Sequence, residues 1–524
     1  MKMNYVSERA LAIALSLLLA ISGAWAARSG GPAPVVAPVG LATTASDRSL
    51  TITLTDKKQN YSMSRSLIEY RDSAILSPKS ANIHPDGSKF YVNSLEGCQT
   101  VVYDMNSNKR LKIIPHKFGR EHYGLWAPDS SLFHFRHYRS RDTRSFSGKP
   151  VESEFSHGGR YLWVPYYRRT FDINAQEPSA IAVIDTRTDS IVRLIVTGPL
   201  PKMIACSHDG KTMAVTHWGN NTVGLIDISG PKPEDWRYLA NVPTPNELSL
   251  NFSLTHAVNR DSNSGLLLRG TVFMPGDKYL LVGSMAGGGI QVIDLAARRC
   301  IGSLSGSHSP RHIVIREQYL YLSSNSSGVV QRCRLDSIKS AISRLASSRS
   351  ALVRGWETCR VGGGARTLEL SPSGKYAFVA CNTASQLCVV RTSDMTQIAQ
   401  IRCDSYPVGL AISADGTKVI VTSQAKPSGG GNSVNIFTVK YATPEPVLKP
   451  AAQAAQPDTV VAMPELTAKT GPETWLTAVQ RWLPAGISAG IAAAILAAIL
   501  ALILAAFAIV RARRKHSPNT HPET

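Results

Sequence analysis

Basic side chains recur at one register of this chain. Lys79, Lys202, Arg269 and Arg366 each stand five residues before a short turn signal: HPDG at 84–87, SHDG at 207–210, MPGD at 274–277 and SPSG at 371–374. A shortened turn at 316–318 gives Arg311, followed by His312, the same spacing. The two remaining repeats, with turns at 156–159 and 413–416, carry Val151 and Val408 there. Guanidinium forks and ammonium groups bind carboxylate, phosphate or sulfate, and like charges do not gather without a cost unless each is paired or an anion is expected. Two readings follow: a site for an anionic ligand, or pairing with acidic neighbours such as Glu152 and Glu369 that only stabilises the fold. A second set of polar residues follows the next apolar run of each repeat: Tyr166, Tyr167, Arg168 and Arg169; His217, Trp218 and Asn220; Asn325; Asn382; and Gln424. Aromatic groups of this kind suit a sugar or a planar ligand.

Catalytic signatures are scarce. The chain has no GxSxG elbow, HExxH, P-loop or Rossmann GxGxxG. A lactonase would need a polarising cation and a general base, which His217, or His312 with Arg311, could supply. Of the eight cysteines none falls in a CxxC, haem-attachment or Cys/His zinc spacing, so no cofactor and no metal site is expected. Cys381 and Cys388 flank a hairpin loop and could pair across it in an oxidising compartment; the other reading is buried free thiols.

The elements that would position these residues are repeats. Each turn is followed by an apolar strand (YVNS, YLWV, TMAV, YLLV, YLYL, YAFV, KVIV), and most then by a third strand such as IAVID at 181–185 or VGLID at 223–227. Seven turns of this kind predict an all-β, seven-bladed propeller of four-stranded antiparallel sheets, closed radially. The last repeat has three strands of its own, and the alternating segment SLTITLT at 49–55 is predicted to supply the fourth. Three stretches break the rhythm. Residues 117–150 mix Arg and His with Phe and Tyr, as a solvated insertion or a basic-aromatic contact surface. Residues 231–265 read as a Pro/Asn-rich insertion, and 336–350 as a short surface helix with Asp336 as its N-cap. The turns SHDG, SPSG and SADG, with YVNS, VTHWGNNTVGLID and AIAVIDTRTDSIVRLIVTG, resemble the YVTN-type repeats of seven-bladed propellers, a group that includes surface-layer proteins and lactonase-like domains. The resemblance spans residues 49–441 and implies the fold more strongly than any one activity.

In a propeller the inner strands line a central channel, so the recurrent cations are expected to meet at one mouth, with the second polar set around it. The candidate ligand-binding residues are therefore Lys79, Lys202, Arg269, Arg311, His312, Arg366, Tyr167, Arg168, His217, Trp218 and Asn382.

The two ends set the location. Lys2 and Arg9 precede an apolar run and an Ala24-Trp25-Ala26 box, which predicts a signal peptide over 1–26 and a linker over 27–48. A Pro/Ala-rich tether over 442–484 leads to 485–510, a run free of charge and long enough to span a membrane, and 511–524 is a basic tail, cytoplasmic by the positive-inside rule. The propeller is thus expected in the periplasm or on the cell surface of a single-pass membrane protein. The formal net charge of +20 favours an anionic small molecule, a glycan or a cell-envelope component, with nucleic acid not expected. A binding or scaffold module is the expectation, with a lactonase-like hydrolase at the same mouth as the alternative.

Overall fold

The computed structural model describes residues 34–61, 68–129, 131, 133–136, 138, 141–250, 257–287, 289–426 and 429–447. The expected signal peptide, membrane span and basic tail lie outside the described residues. Among the described residues no helix is long and apolar enough to cross a membrane.

Among the described residues seven sheets form the domain, antiparallel throughout except for Ser350–Leu352, which joins the outer edge of one of them in parallel. In chain order their inner strands are Pro78–Ile83, Glu154–Ser156, Pro201–Cys206, Leu268–Phe273, His312–Arg316, Ala365–Leu370 and Pro407–Ile412, and these define blades 1 to 7. The second strand of each blade is apolar on both faces because both faces are covered. Phe90 and Val92 pack toward blade 7, while Tyr91 between them packs toward blade 2. Leu281 faces blade 5, and its neighbours Leu280 and Val282 face blade 3. Seven hydrophobic clusters result among the described residues, one at each junction between consecutive blades, including the junction of blade 7 with blade 1. That circular order makes the chain a seven-bladed propeller. The hairpins between inner and second strands depend on glycine: Gly87, Gly210, Gly374 and Gly416 all hold φ between 69° and 74°.

The ring closes as the sequence suggests. Leu50–Gln59 pairs antiparallel with Ser433–Tyr441 and completes blade 7. A clasp reinforces this seam. Lys57 Nζ lies 2.9 Å from Asp404 Oδ1, and both side chains are buried. Asp404 also accepts hydrogen bonds from the Ala37 N–H (2.8 Å), Ser433 Oγ (2.6 Å) and the Tyr61 hydroxyl.

Several boundaries differ from the sequence reading. Part of the expected 27–48 linker belongs to the domain: Ala42–Thr44 adds a fifth strand to blade 7, and Val35 bonds to Ser405. A three-residue strand is too short to show an alternation. At the other end Glu445 turns back to accept bonds from the Ser373 N–H and hydroxyl at 2.7 and 2.8 Å. The 231–265 insertion contains the outer strand of blade 3, Arg237–Pro243. In 117–150, Lys117–Phe118 and Phe146–Pro150 extend blade 2, and Arg141 and Arg144 lie over Phe171 and Tyr123. The helix runs only over Leu335–Arg344, with Arg334 at the N-cap and Asp336 inside the first turn. It buries Ile338, Ala341 and Ile342 in the junction of blades 4 and 5 rather than lying free on the surface.

Candidate functional site

A repeated backbone device aims the cations. Two residues before the cation position, Ser77, Leu200, Leu267, Gly364 and Tyr406 hold φ of 51°, 53°, 55°, 80° and 62°. A left-handed residue other than glycine costs roughly 1–2 kcal/mol, so four such positions mark an over-determined turn. The inner strand then bulges. In blade 1 Pro78 faces Ser94 and Ser80 faces Asn93, which leaves Lys79 as the extra residue. The register shifts at the matching place in blades 3, 4, 6 and 7. A bulge inserts a residue and re-aims its side chain. Blade 5 reaches the same end differently: Arg311 precedes the strand, its N–H donates to Ser323 O (2.8 Å), and its carbonyl accepts the Gly270 N–H of blade 4 (3.0 Å). Blade 2 lacks the device; Val151 is fully buried and the next residue, Glu152, faces inward.

These strands enclose an axial cavity of about 360 Å³. Lys79, Arg269, Arg311 and Arg366 line it, with His312 beside them. Lys202 stands at its edge, its ammonium 4.0 Å from the Tyr167 ring centre and 4.9 Å from that of Trp218. Among the four cations that line the cavity lies one carboxylate, Glu152, 3.5 Å from Arg269 Nη1. Burial alone would raise the Glu152 carboxyl, but Arg269, Lys79, Arg366 and Arg311 outweigh it and hold it at about 2. The cations bear the opposite strain. Burial, then the neighbouring Arg366, pushes the Lys79 ammonium well below the usual lysine range. Lys202 is pushed down by burial, then by Arg269 and Lys79. Arg311 falls for the same reasons, and burial followed by Arg269 brings Arg366 to about 10. Arg269 Nη1 and Glu152 Oε2 are buried with no hydrogen-bond partner among the described residues.

A second polar layer lies three residues further along the inner strands. Glu154 of blade 2 and Glu369 of blade 6 line the same cavity. Glu369 is therefore not a clasp for the basic collar, as one sequence reading had it. Burial raises Glu154 to about 7, and burial followed by the repulsion of Glu154 raises Glu369 to about 8.

The rim residues divide. Tyr167 and Trp218 flank Lys202, and the Tyr167 hydroxyl donates to Asp261, which lies 3.9 Å from the Lys202 ammonium. Arg168 turns to the Ile173 carbonyl and lies 5.3 Å from the Tyr167 ring centre. Asn382 is buried and accepts a bond from Asn325 Nδ2 (3.2 Å), which ties blade 6 to blade 5 instead of facing the cavity. His217 is not at the mouth. It is fully buried, with Nε2 and Nδ1 each 2.8 Å from a threonine hydroxyl, those of Thr197 and Thr222, and its ring edge against Phe133. Burial depresses it to about 3. Its role is structural, and it offers no base to a substrate. His312 does face the cavity; its Nδ1 accepts the Leu368 N–H at 3.4 Å, and burial lowers it to about 4. Arg311 Nη1 meets the Met285 sulfur at 3.1 Å.

Two site residues escaped the sequence reading. Glu154 was visible in principle, since it sits two residues before its turn as Glu369 does. Tyr406, exposed and interacting with Arg366, had no composition signal.

No protein-family model matches the chain, and no curated protein matches it. Among solved structures it is similar to hydrazine synthase of Kuenenia stuttgartiensis, at 14% identity and a TM-score of 0.48 over 73% of this chain and 99% of that one. It is also similar to the β-propeller domain of Myceliophteria thermophila Cps50 (Swd1), at 11% identity and a TM-score of 0.46 over 69% of this chain and 97% of that one. The blade count rests on the sheets and junction clusters of this chain itself.

Proposed function

We propose that this protein is a binding module, a propeller of the YVTN-repeat type exported by residues 1–26 and tethered to the membrane by 485–510, that holds an anionic ligand in its axial cavity. One observation carries the reading: four cations line the cavity with one carboxylate among them, Glu152, and a fifth cation, Lys202, stands at its edge with Asp261 at 3.9 Å. A buried charge without a partner costs several kcal/mol, so a fold that gathers them gains from a ligand that neutralises them. Guanidinium groups favour carboxylate, phosphate or sulfate, whether free or carried on a glycan or an envelope polymer. The net charge and the Tyr167 and Trp218 rim support the same reading.

Titration calorimetry of the full-length protein against inorganic phosphate, sulfate and citrate tests it. Binding should be measurable at low ionic strength and weaken as salt rises. Absence of both heat and thermal stabilisation with all three anions, on folded protein, would overturn the proposal. Fractionation of expressing cells tests the location: the chain should stay with membranes after an alkaline wash, and its propeller should be open to protease from outside the cytoplasm.

A further inference from the structure

The axial cavity has two ends of unlike chemistry. The collar of Lys79, Arg269, Arg311 and Arg366 forms one layer, and Glu154 and Glu369 form another in the same cavity. The obvious stabilising arrangement would set these carboxyls against the surplus cations. The fold does not do so. No ion pair within 4 Å involves Glu154 or Glu369 among the described residues; Glu154 Oε1 accepts the neighbouring Phe155 N–H (2.9 Å), and Arg316 is the cation that acts on Glu369. Three residues separate the layers, one of them taken up by the bulge, so the layers lie roughly 7 Å apart along the strand. The cavity volume is within the range that holds a small molecule. Arg269 is nine-tenths buried, lines the cavity and keeps Nη1 without a hydrogen-bond partner.

We propose that the cavity takes an elongated zwitterion, its anionic group on the arginine and lysine collar and its protonated amine on Glu154 and Glu369, with roughly 7 Å or more between the two charges. This rests on the anion-binding reading and narrows the ligand class. A compact zwitterion such as phosphoethanolamine is too short to reach both layers. A plain anion fills the collar and leaves the carboxyl layer without a partner. Glu152 offsets only one of the four collar cations and a monoanion would offset only one more, so a phosphate is a better head group than a carboxylate.

The test compares 6-aminohexyl phosphate, hexyl phosphate, 2-aminoethyl phosphate and inorganic phosphate by calorimetry on the full-length protein at pH 7.5. The two hexyl compounds have the same spacer and differ by the amine. The amine should tighten binding by about tenfold or more, the size expected of a buried charge-assisted hydrogen bond. The 2-aminoethyl compound should bind no better than inorganic phosphate. In the double variant Glu154→Gln, Glu369→Gln the two hexyl phosphates should bind alike, with hexyl phosphate itself undiminished. Equal binding of the hexyl pair by the wild-type protein would overturn the zwitterion proposal and leave the anion site standing. Amine selectivity that survives the double variant would overturn the assignment to these carboxyls. If no phosphate compound binds, the anion reading falls and this one with it. The wild-type comparison decides even where the double variant does not fold.

Discussion

Two buried lysines of this propeller have opposite surroundings. Lys57, in the closing strand of blade 7, is 3% exposed and meets Asp404 at 2.9 Å. Asp404 is in turn saturated by the Ala37 N–H, the Ser433 and Tyr61 hydroxyls and the lysine itself. Lys79, in the inner strand of blade 1, is 9% exposed, and the groups that act on it after burial are Arg366, Glu152, Arg269 and Arg311, three of them cations. The same side chain is a rivet in one place and a spring in the other. Where the chain must hold its two ends together, every polar atom is answered. Where it lines the axis, positive charge is left over. A structural explanation covers the first, and the surplus charge at the second is what the proposed ligand would answer.

The largest expected effect breaks the rivet. Asp404→Ala leaves Lys57 buried without its counter-charge and removes the acceptor of three further donors. Loss of one partner of a buried pair costs about 3–5 kcal/mol. Urea unfolding should show a drop of that size, without a matching loss of phosphate affinity once the protein is folded. A drop below about 1 kcal/mol, the level of an exposed pair, would erase the contrast. Next in size is Arg366→Ala. Among the described residues no carboxylate lies within 4 Å of Arg366, whose side chain bonds to Tyr406 and feels Glu152 only at longer range, so the fold should lose little. Phosphate affinity should fall by about ten- to a hundredfold, as expected for a charge-assisted hydrogen bond. Arg269→Ala differs, because it also strands Glu152, and should lower both affinity and stability.

The contrast between the two lysines also marks what the sequence could and could not reveal. Seven blades and the closing strand were legible, because doubly buried second strands read as apolar runs and the turn glycines punctuate them at a fixed distance. The register of the cations was legible as spacing. Their convergence at one mouth followed from the propeller itself; the backbone device that aims them did not, because strict alternation would place positions 79 and 80, or 269 and 270, on opposite faces. The bulge that overrides alternation depends on left-handed backbone at Leu200, Leu267 and Tyr406, residue types that give no hint of it. His217 misled for a different reason. It ends its second strand, the place held elsewhere by Ser94, Ser284, Ser324 and Ser423, all at most 1% exposed. Aligning the blades on that position would have marked it as an interior polar site. The Lys57 clasp brings together residues 347 apart in sequence, and no local pattern announces it.

Removal of a collar ammonium should have a smaller effect on folding, of unusual sign. Lys79→Met exchanges a crowded cation for an apolar side chain of similar length. Most buried substitutions destabilise. Here relief of repulsion and desolvation should leave stability unchanged or higher by up to about 1 kcal/mol, because an unpaired buried charge is a liability. A loss comparable to that of Asp404→Ala would place Lys79 in the same class as Lys57 and remove the argument for a ligand.

The smallest effect is a fraction of a proton. Lys79 and Lys202 are depressed by burial and by cationic neighbours, so in the free protein their charged forms are disfavoured. An anion in the cavity favours those charged forms and raises both groups. Between the depressed and the raised values, binding must therefore take up protons, and affinity must fall as pH rises through that window. Glu154 and Glu369, raised to about 7 and about 8, respond in the same direction, since a nearby anion further disfavours their ionised forms. Sulfate is the suitable probe because it does not titrate near neutrality. Its observed heat of binding, measured in buffers of different ionisation enthalpy, should vary with a slope that corresponds to net uptake. Lys79→Met should reduce the slope, while Lys57→Met, if folded, should not, because that ammonium is answered by Asp404 whether or not the cavity is filled. A zero slope, or net release, would mean that the collar is already neutralised in the free protein, and the distinction between the two lysines would then lie in their surroundings without any consequence for binding.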